Sequence, residues 1–264
     1  MEALIADKKR IRCINYRYPR GYAVKPVSEQ VRTLLADFGS IGLSLDVPEL
    51  AQQKKETTFS PRNAEGMFVF PWWKCLAGSY LGAVSAAVSL LERKIDTDID
   101  IGLLSAIRRS RHTEQALSII SEKQSSNTLV IPAQLGYFFQ NIGVKASDES
   151  FLNEADSYSG KLIYPDMFGL GVFEVLMILL THPERLLGQG GNTGCDSDVV
   201  EKSLAIDCPA DNCIDEIDWR KGREVVRSSP YFFSDYGDSI SLGLWPHYLS
   251  NISSGIATGF FPRS

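Results

Sequence analysis

The residues best suited to chemistry lie in the stretch LLTHPERLLGQGGNTGCDSD, residues 179–198. It contains His182, one of only three histidines in the chain, together with Glu184 and Cys195. A cysteine acts as a nucleophile only as a thiolate, which requires a nearby base or the N-terminus of a helix. One hypothesis is therefore a hydrolase that uses His182, Glu184 and His247 with either Cys195 or a bound metal ion.

The glycines of the same stretch, in GQGGNTG, raise a separate hypothesis of a phosphate-binding loop. One class of phosphate loop carries a lysine followed by Ser or Thr after its last glycine. The dinucleotide-binding class directly follows a strand. Here Cys195 and Asp196 follow the last glycine, and the loop follows a predicted helix that ends at Pro183. We therefore interpret the glycines as a helix end and a surface connection. Asp196 and Asp198 also place negative charge beside the thiol, which disfavours a thiolate.

A metal site is a further hypothesis, based on the cysteine spacing. Cys208 and Cys213 have four residues between them, and Cys195 lies thirteen positions before Cys208. His182 and His247 could complete a tetrahedral set of ligands. Structural zinc sites usually show two tight pairs of ligands, whereas this sequence has one loose pair. The sequence therefore predicts no resident metal and no other cofactor.

Three alternating carboxylates, Asp96, Asp98 and Asp100, form a DxDxD run. In an extended chain they would share one face and could chelate a cation. A calcium-binding EF-hand loop requires glycine and glutamate where this sequence has Ile101 and Ile107. We therefore interpret the run as acidic residues at the start of a helix.

Two basic stretches, residues 8–20 and 108–111, suggest contact with nucleic acid. The first also contains Tyr16 and Tyr18, and single strands are held by base stacking on aromatic rings beside phosphate-pairing cations. The candidate contacts are Lys8, Lys9, Arg10, Arg12, Arg17, Arg108, Arg109 and Arg111. The net charge of −5 opposes this hypothesis, because dedicated nucleic-acid-binding proteins are usually basic.

The length and composition indicate what kind of protein must position these residues. With 264 residues, 44% of them hydrophobic and 22% charged, the chain can bury a large core. We predict a single domain over residues 1–264, with the polar segment 145–160 as its weakest point. An odd count of five cysteines and the absence of an apolar leader predict free thiols in the cytoplasm.

Hydrophobic periodicity predicts an α+β fold, in which two apolar helices pack against a mostly antiparallel sheet. The helices are expected at about 72–93 and 167–180, the second ending at Pro183. The uncharged run 75–91 is short and rich in Ala, Ser and Gly, so no membrane span is expected. Residues 239–244 alternate apolar and small polar side chains, which predicts a C-terminal β-hairpin with one solvent-facing side.

Shorter signals predict further boundaries. Residues 10–24 and 128–132 are expected as strands, the latter ended by Pro132. Residues 25–40 are expected as a helix, and Thr113 is expected to begin another.

The sequence contains no set of residues that recognisably forms a catalytic site. It therefore predicts a non-catalytic binding or assembly protein, an accessory or immunity-type interaction module with a protein partner. The acidic balance suits a basic partner, and aromatic side chains are enriched at interface hot spots. The aromatic residues considered for this role are Tyr231, Phe232, Trp245, Tyr248, Phe260 and Phe261. The hydrolase and the nucleic-acid-binding component remain the alternatives.

Overall fold

The computed structural model describes residues 22–46, 64–104, 107–137, 167–187, 205–215, 226–235, 239–246 and 254–261. Within these ranges the chain has an α+β fold, with four α-helices and ten strands that belong to one sheet. The helices are α1 (Val27–Gly39), α2 (Tyr80–Leu91), α3 (Arg111–Gln124) and α4 (Val172–Thr181). The strands are β1 (Gly66–Pro71), β2 (Asp96–Asp98), β3 (Ile107–Arg109), β4 (Thr128–Tyr137), β5 (Met167–Gly169), β6 (Ala205–Asp207), β7 (Asp211–Asp215), β8 (Val226–Asp235), β9 (Ser239–Pro246) and β10 (Ser254–Phe260).

The sheet is mostly antiparallel, as the sequence predicts. Among the described strands, only the pairs β10–β6 and β2–β9 are parallel. The long strand β8 pairs with β9 along one side and with β6 and β7 along the other. The antiparallel β8–β9 pair confirms the predicted C-terminal hairpin.

Two apolar helices form the centre of the core. Every residue of α4 is buried, because this helix is apolar except for Glu174 and Thr181. Helix α2 buries one broad face, including Val84, Val88 and Leu91, and it packs against α4. None of the helices in the described ranges combines the length and the hydropathy that crossing a bilayer requires.

Both apolar helices begin later than predicted. Residues 73–75 form a 3₁₀ turn, and α2 begins only at Tyr80, after Ser79 accepts a hydrogen bond from Gly82 N at 3.1 Å. Residues 167–169 form β5, because their backbone pairs with β10, and α4 therefore begins at Val172. The predicted end of α4 before Pro183 is confirmed.

Three smaller predictions are wrong. Helix α3 begins at Arg111 with Ser110 as its cap, whereas the Thr113 hydroxyl donates to Gly169 O at 2.9 Å. Pro132 does not end β4, because β10 continues the ladder beyond it. The DxDxD run is not a helix start at Asp96 and Asp98, which lie in β2 and pair with β9.

Two other predictions concern residues outside the described ranges. These are the possible subdivision at 145–160 and most of the predicted strand 10–24.

The outer edge of β1 is closed by a side chain from α1. Gln30 is fully buried, and its Nε2 donates to Met67 O at 2.8 Å while its Oε1 accepts from Val69 N at 3.0 Å. The side-chain amide thus makes the two hydrogen bonds that a neighbouring strand would make.

Candidate functional site

A buried ionic network is centred on Arg109, the last residue of β3. Its Nη2 lies 2.7 Å from Glu174 Oε1, its Nε lies 3.0 Å from Glu114 Oε1, and its Nη1 lies 3.3 Å from Asp211 Oδ1. Asp211 is the cross-strand neighbour of Arg109 on β7, so sheet register alone brings these two residues together. The Arg109 side chain is only 9% exposed, and these three carboxylates compensate its charge inside the protein.

The same network caps the N-terminus of α4, where three backbone N–H groups lack partners within the helix. Each of them donates to a side-chain oxygen: Gly171 N to Glu174 Oε2 (2.9 Å), Val172 N to Asp211 Oδ2 (2.6 Å) and Phe173 N to Tyr80 Oη (3.1 Å). A helix N-terminus can bind an anion. Here the protein's own oxygens occupy that position.

Packing around this helix end is tight. A Cβ atom on Gly171 would collide with Arg109 Nη1 and with the Asp211 carboxylate. Tyr80 Oη donates to Asp211 Oδ2 at 2.5 Å and accepts from Arg109 Nη1 at 3.0 Å. The network is therefore filled by its own side chains.

Burial and charge shift the pKa values of the network in different directions. Burial alone would lower the pKa of Arg109, but Glu174, Tyr80 and Asp211 outweigh it and raise that pKa. Burial raises the pKa of Asp211, against the opposing effect of Arg109. At the outer end, burial is outweighed by a hydrogen bond from Trp73 and by the charge of Arg109, which together lower the pKa of Glu114.

The second buried polar group is His182, the histidine considered as a catalytic base. Its Nε2 accepts a hydrogen bond from Lys25 N at 2.9 Å, and its Nδ1 lies 2.8 Å from Thr181 Oγ1. Because Nε2 is the acceptor, Nδ1 carries the proton and donates to Thr181. Burial lowers the pKa of His182 to about 4, so the ring is neutral at pH 7 with both nitrogens engaged.

The other members of the hydrolase set are placed as follows. Glu184 lies two residues beyond His182, and its Oε1 is 3.1 Å from Lys25 Nζ. Lys25 thus contacts both residues. Cys195 and His247 lie outside the described residues, so the complete set stays a prediction.

The candidate metal ligands are only partly described. Cys208 and Cys213 are buried, and burial raises the pKa of the Cys208 thiol well above its ordinary value. Across the described ranges, no three His, Cys, Asp or Glu residues are arranged to hold a metal ion. Cys195 and His247, which would complete the predicted set, lie outside those ranges.

The second basic stretch is divided between two sides of β3. Arg108 is exposed, whereas Arg109 points into the interior, because successive side chains of a strand alternate. Arg111 is exposed at the start of α3. The first stretch, with Lys8, Lys9, Arg10, Arg12 and Arg17, lies outside the described residues.

The opposite face of the sheet carries a stacked aromatic pair. The rings of Tyr231 and Phe233 on β8 have centroids 5.3 Å apart and planes inclined by 28°. Both side chains are half-buried. The Tyr231 ring lies over Gly243 of β9, where a Cβ atom would be 2.6 Å from Tyr231 Cζ. The glycine therefore makes room for the ring.

Strand register places carboxylates around this aromatic pair, because residues directly opposite each other share a face. Asp207 is opposite Tyr231, Ser241 is opposite Phe233, and Asp98 is opposite Ser241. Asp96 lies two residues before Asp98 on the same face. We call the surface formed by these six residues the outer patch: Asp96, Asp98, Asp207, Tyr231, Phe233 and Ser241.

Two features of the outer patch stand out. Asp96 and Asp98 are exposed, and no group in the described part of the chain forms a hydrogen bond or ion pair with either carboxylate. Ser241 is only 4% exposed, yet its Oγ has no hydrogen-bond partner. The predicted solvent-facing side of the hairpin is therefore wrong at Ser241, which is buried.

The aromatic residues considered from the sequence divide into two groups. Phe232 and Phe260 are buried in the core, and Phe261 packs against Phe168 with ring centroids 5.3 Å apart. Tyr231 belongs to the outer patch. The side chains of Trp245 and Tyr248 lie outside the described residues.

Several important residues were missed from the sequence. Glu174 is the only charge in an otherwise apolar segment, and a buried charge needs a partner, so this residue carried a usable signal. Tyr80, Asp211 and Phe233 carried none, because their roles depend on contacts between distant parts of the chain.

No protein-family model matches this chain, and neither a curated protein nor a solved structure matches it significantly. The side-chain chemistry described above is therefore the basis for inferring a function.

Proposed function

We propose that this chain is a non-catalytic binding protein that presents its outer patch to a protein partner. The observation that carries this proposal is the stacked Tyr231–Phe233 pair beside the unpaired carboxylates of Asp96 and Asp98. Partly exposed aromatic rings supply large contact areas at low entropic cost, and they recur at the centres of interfaces.

The interior polar residues support a binding role over a catalytic one. A catalytic group must reach a substrate with a free donor, acceptor or lone pair. Both ring nitrogens of His182 are engaged within the protein, and the Arg109 guanidinium is paired with three carboxylates. These groups stabilise the fold, whereas the outer patch carries the exposed carboxylates of Asp96 and Asp98, unpaired within the described ranges.

Affinity capture with matched variants tests the proposal. The wild-type chain, Phe233→Ala and Ile119→Ala are immobilised, and proteins retained from a lysate of cells that express the chain are quantified by mass spectrometry. Ile119 is the control because it is 44% exposed on α3, away from the outer patch. Urea unfolding of each variant shows that it is folded.

We expect at least one protein to be retained by the wild type and by Ile119→Ala but depleted about five-fold or more by Phe233→Ala, as for an interface hot spot. Retention that is the same for all three chains, or an absence of retained proteins, would contradict the proposal.

A further inference from the structure

We infer that the outer patch binds a cationic polypeptide segment, one that carries arginine or lysine side chains in an extended conformation. The inference rests on the proposed function and specifies the chemistry of the partner. It follows from three features of the patch: its charge, its rings and its buried hydroxyl.

The charge of the patch is negative and uncompensated at its edge. Asp96 and Asp98 are exposed and unpaired, and Asp207 lies beside Tyr231 on the same face. Of the two nearest cations along the chain, Lys94 is paired with Asp37, and Arg93 donates to the Ser40 hydroxyl rather than to Asp96 or Asp98. A partner's cation is therefore the group that complements this surface.

The aromatic pair suits the same cation. A guanidinium group can stack on the face of an aromatic ring and donate two hydrogen bonds to a carboxylate at once. Phe233 is half-buried and lies two strands from Asp98, with Ser241 between them in the register. Consistent with the local charge, burial and the neighbouring Asp207 both raise the pKa of the Tyr231 phenol.

Ser241 provides an independent indication of a ligand. A buried hydroxyl without a partner is costly, and such groups are rare in folded proteins. The Ser241 Oγ shares a sheet face with Phe233 and Asp98 in the register but is occluded, so a ligand N–H would reach it only as neighbouring side chains move. A guanidinium or a backbone amide of the bound segment would provide that donor.

Fluorescence anisotropy with a defined peptide tests the inference. The probe is fluorescein-labelled Gly-Arg-Gly-Arg-Gly-Arg-Gly, titrated with the full chain at low salt, and the same peptide with glutamate in place of arginine is the reference. Asp98→Asn is compared with Glu122→Gln, because each removes one exposed carboxylate and Glu122 lies on α3. We expect Asp98→Asn to weaken binding about three- to five-fold and Glu122→Gln to have no effect.

A second pair of variants separates binding from stability. Ser234, like Ser241, is buried with an unpartnered Oγ, but it lies on the inner face opposite Ile240. Ser241→Ala and Ser234→Ala should both leave the urea midpoint unchanged or raise it, because each removes an unsatisfied hydroxyl. Only Ser241→Ala should weaken peptide binding, by about three-fold or more.

Two results would overturn the inference: equal binding of the glutamate peptide, or equal effects of the paired variants. Such results leave the proposed function intact if capture from the lysate still depends on Phe233. Loss of that dependence would instead contradict the proposed function itself.

Discussion

Tyr80 Oη lies 2.5 Å from Asp211 Oδ2, and these two oxygens also hold the first amides of α4. One comes from α2 and the other from β7, 131 residues later in the chain. Together with Arg109 they join a helix end, a second helix and the sheet.

Removing the Tyr80 hydroxyl should destabilise the fold. In Tyr80→Phe, the Phe173 amide loses its acceptor and Asp211 loses a donor, both in the interior. We expect the free energy of unfolding to fall by about 2–3 kcal/mol, measured by urea denaturation. Ser85→Ala is the control, because it deletes a hydroxyl of α2 that only donates to Leu81 O within the helix. Equal losses for both variants would contradict the role given to Tyr80.

Replacing Arg109 should be far more damaging than replacing its neighbour. Arg109→Met leaves Glu174 and Asp211 buried without their cation, which should cost about 3–5 kcal/mol at pH 7. The loss should shrink as the pH is lowered, because burial raises the pKa of Asp211 and its protonation removes one unpaired charge. Arg108→Met, at an exposed position, should change stability by less than about 0.5 kcal/mol. Similar unfolding midpoints for the two variants would refute this assignment.

A single methyl group at Gly171 should disrupt the junction. The Cβ of Gly171→Ala would overlap Arg109 and Asp211, so the ionic network must move apart. We expect a loss of about 3 kcal/mol or more, by analogy with breaking a buried ion pair. Gly39→Ala is the matched control, since nothing lies within 4 Å of the added Cβ at the end of α1. It should leave stability unchanged or raise it by up to about 1 kcal/mol.

His182 should make stability depend on pH in the acidic range. Its pKa is about 4 in the folded chain and 6.5 in the reference state, so only the unfolded chain takes up the proton between these values. The stability due to neutral His182 is therefore present above pH 6.5 and is lost as the pH falls toward 4, a loss of about 3 kcal/mol. The stability advantage of the wild type over His182→Gln should decrease by that amount between pH 7 and pH 4. A constant difference across this range would show that the pKa of His182 is the same in the folded and unfolded chains.

The apolar core was predictable, because local patterns of Val, Leu and Ala in the sequence indicate that α2 and α4 are buried. The first residues of these helices were not predictable. For α4, the start depends on the backbone pairing of residues 167–169 with β10, a strand about 90 positions away. The same limit applies to Arg108 and Arg109. A three-residue strand is too short to show a period of two, so the sequence could not reveal that these neighbours face opposite sides.

Some residue types of the outer patch were visible in the sequence, but their arrangement in space was not. The DxDxD run and the aromatic residues near the C-terminus are visible in the sequence, but they are separated by more than 130 positions. They become neighbours because β9 lies between β2 and β8 in the sheet. Register, rather than composition, creates this candidate site.

Gln30 has a consequence for how copies of this chain can meet. An edge strand with free N–H and C=O groups can template the addition of strands from other molecules, which is the first step toward fibrils. At Met67 and Val69 those groups already bond to the Gln30 amide, so an incoming strand must first expel a fully buried side chain. The Gln30 amide therefore hinders the addition of strands from other molecules at this edge of the sheet.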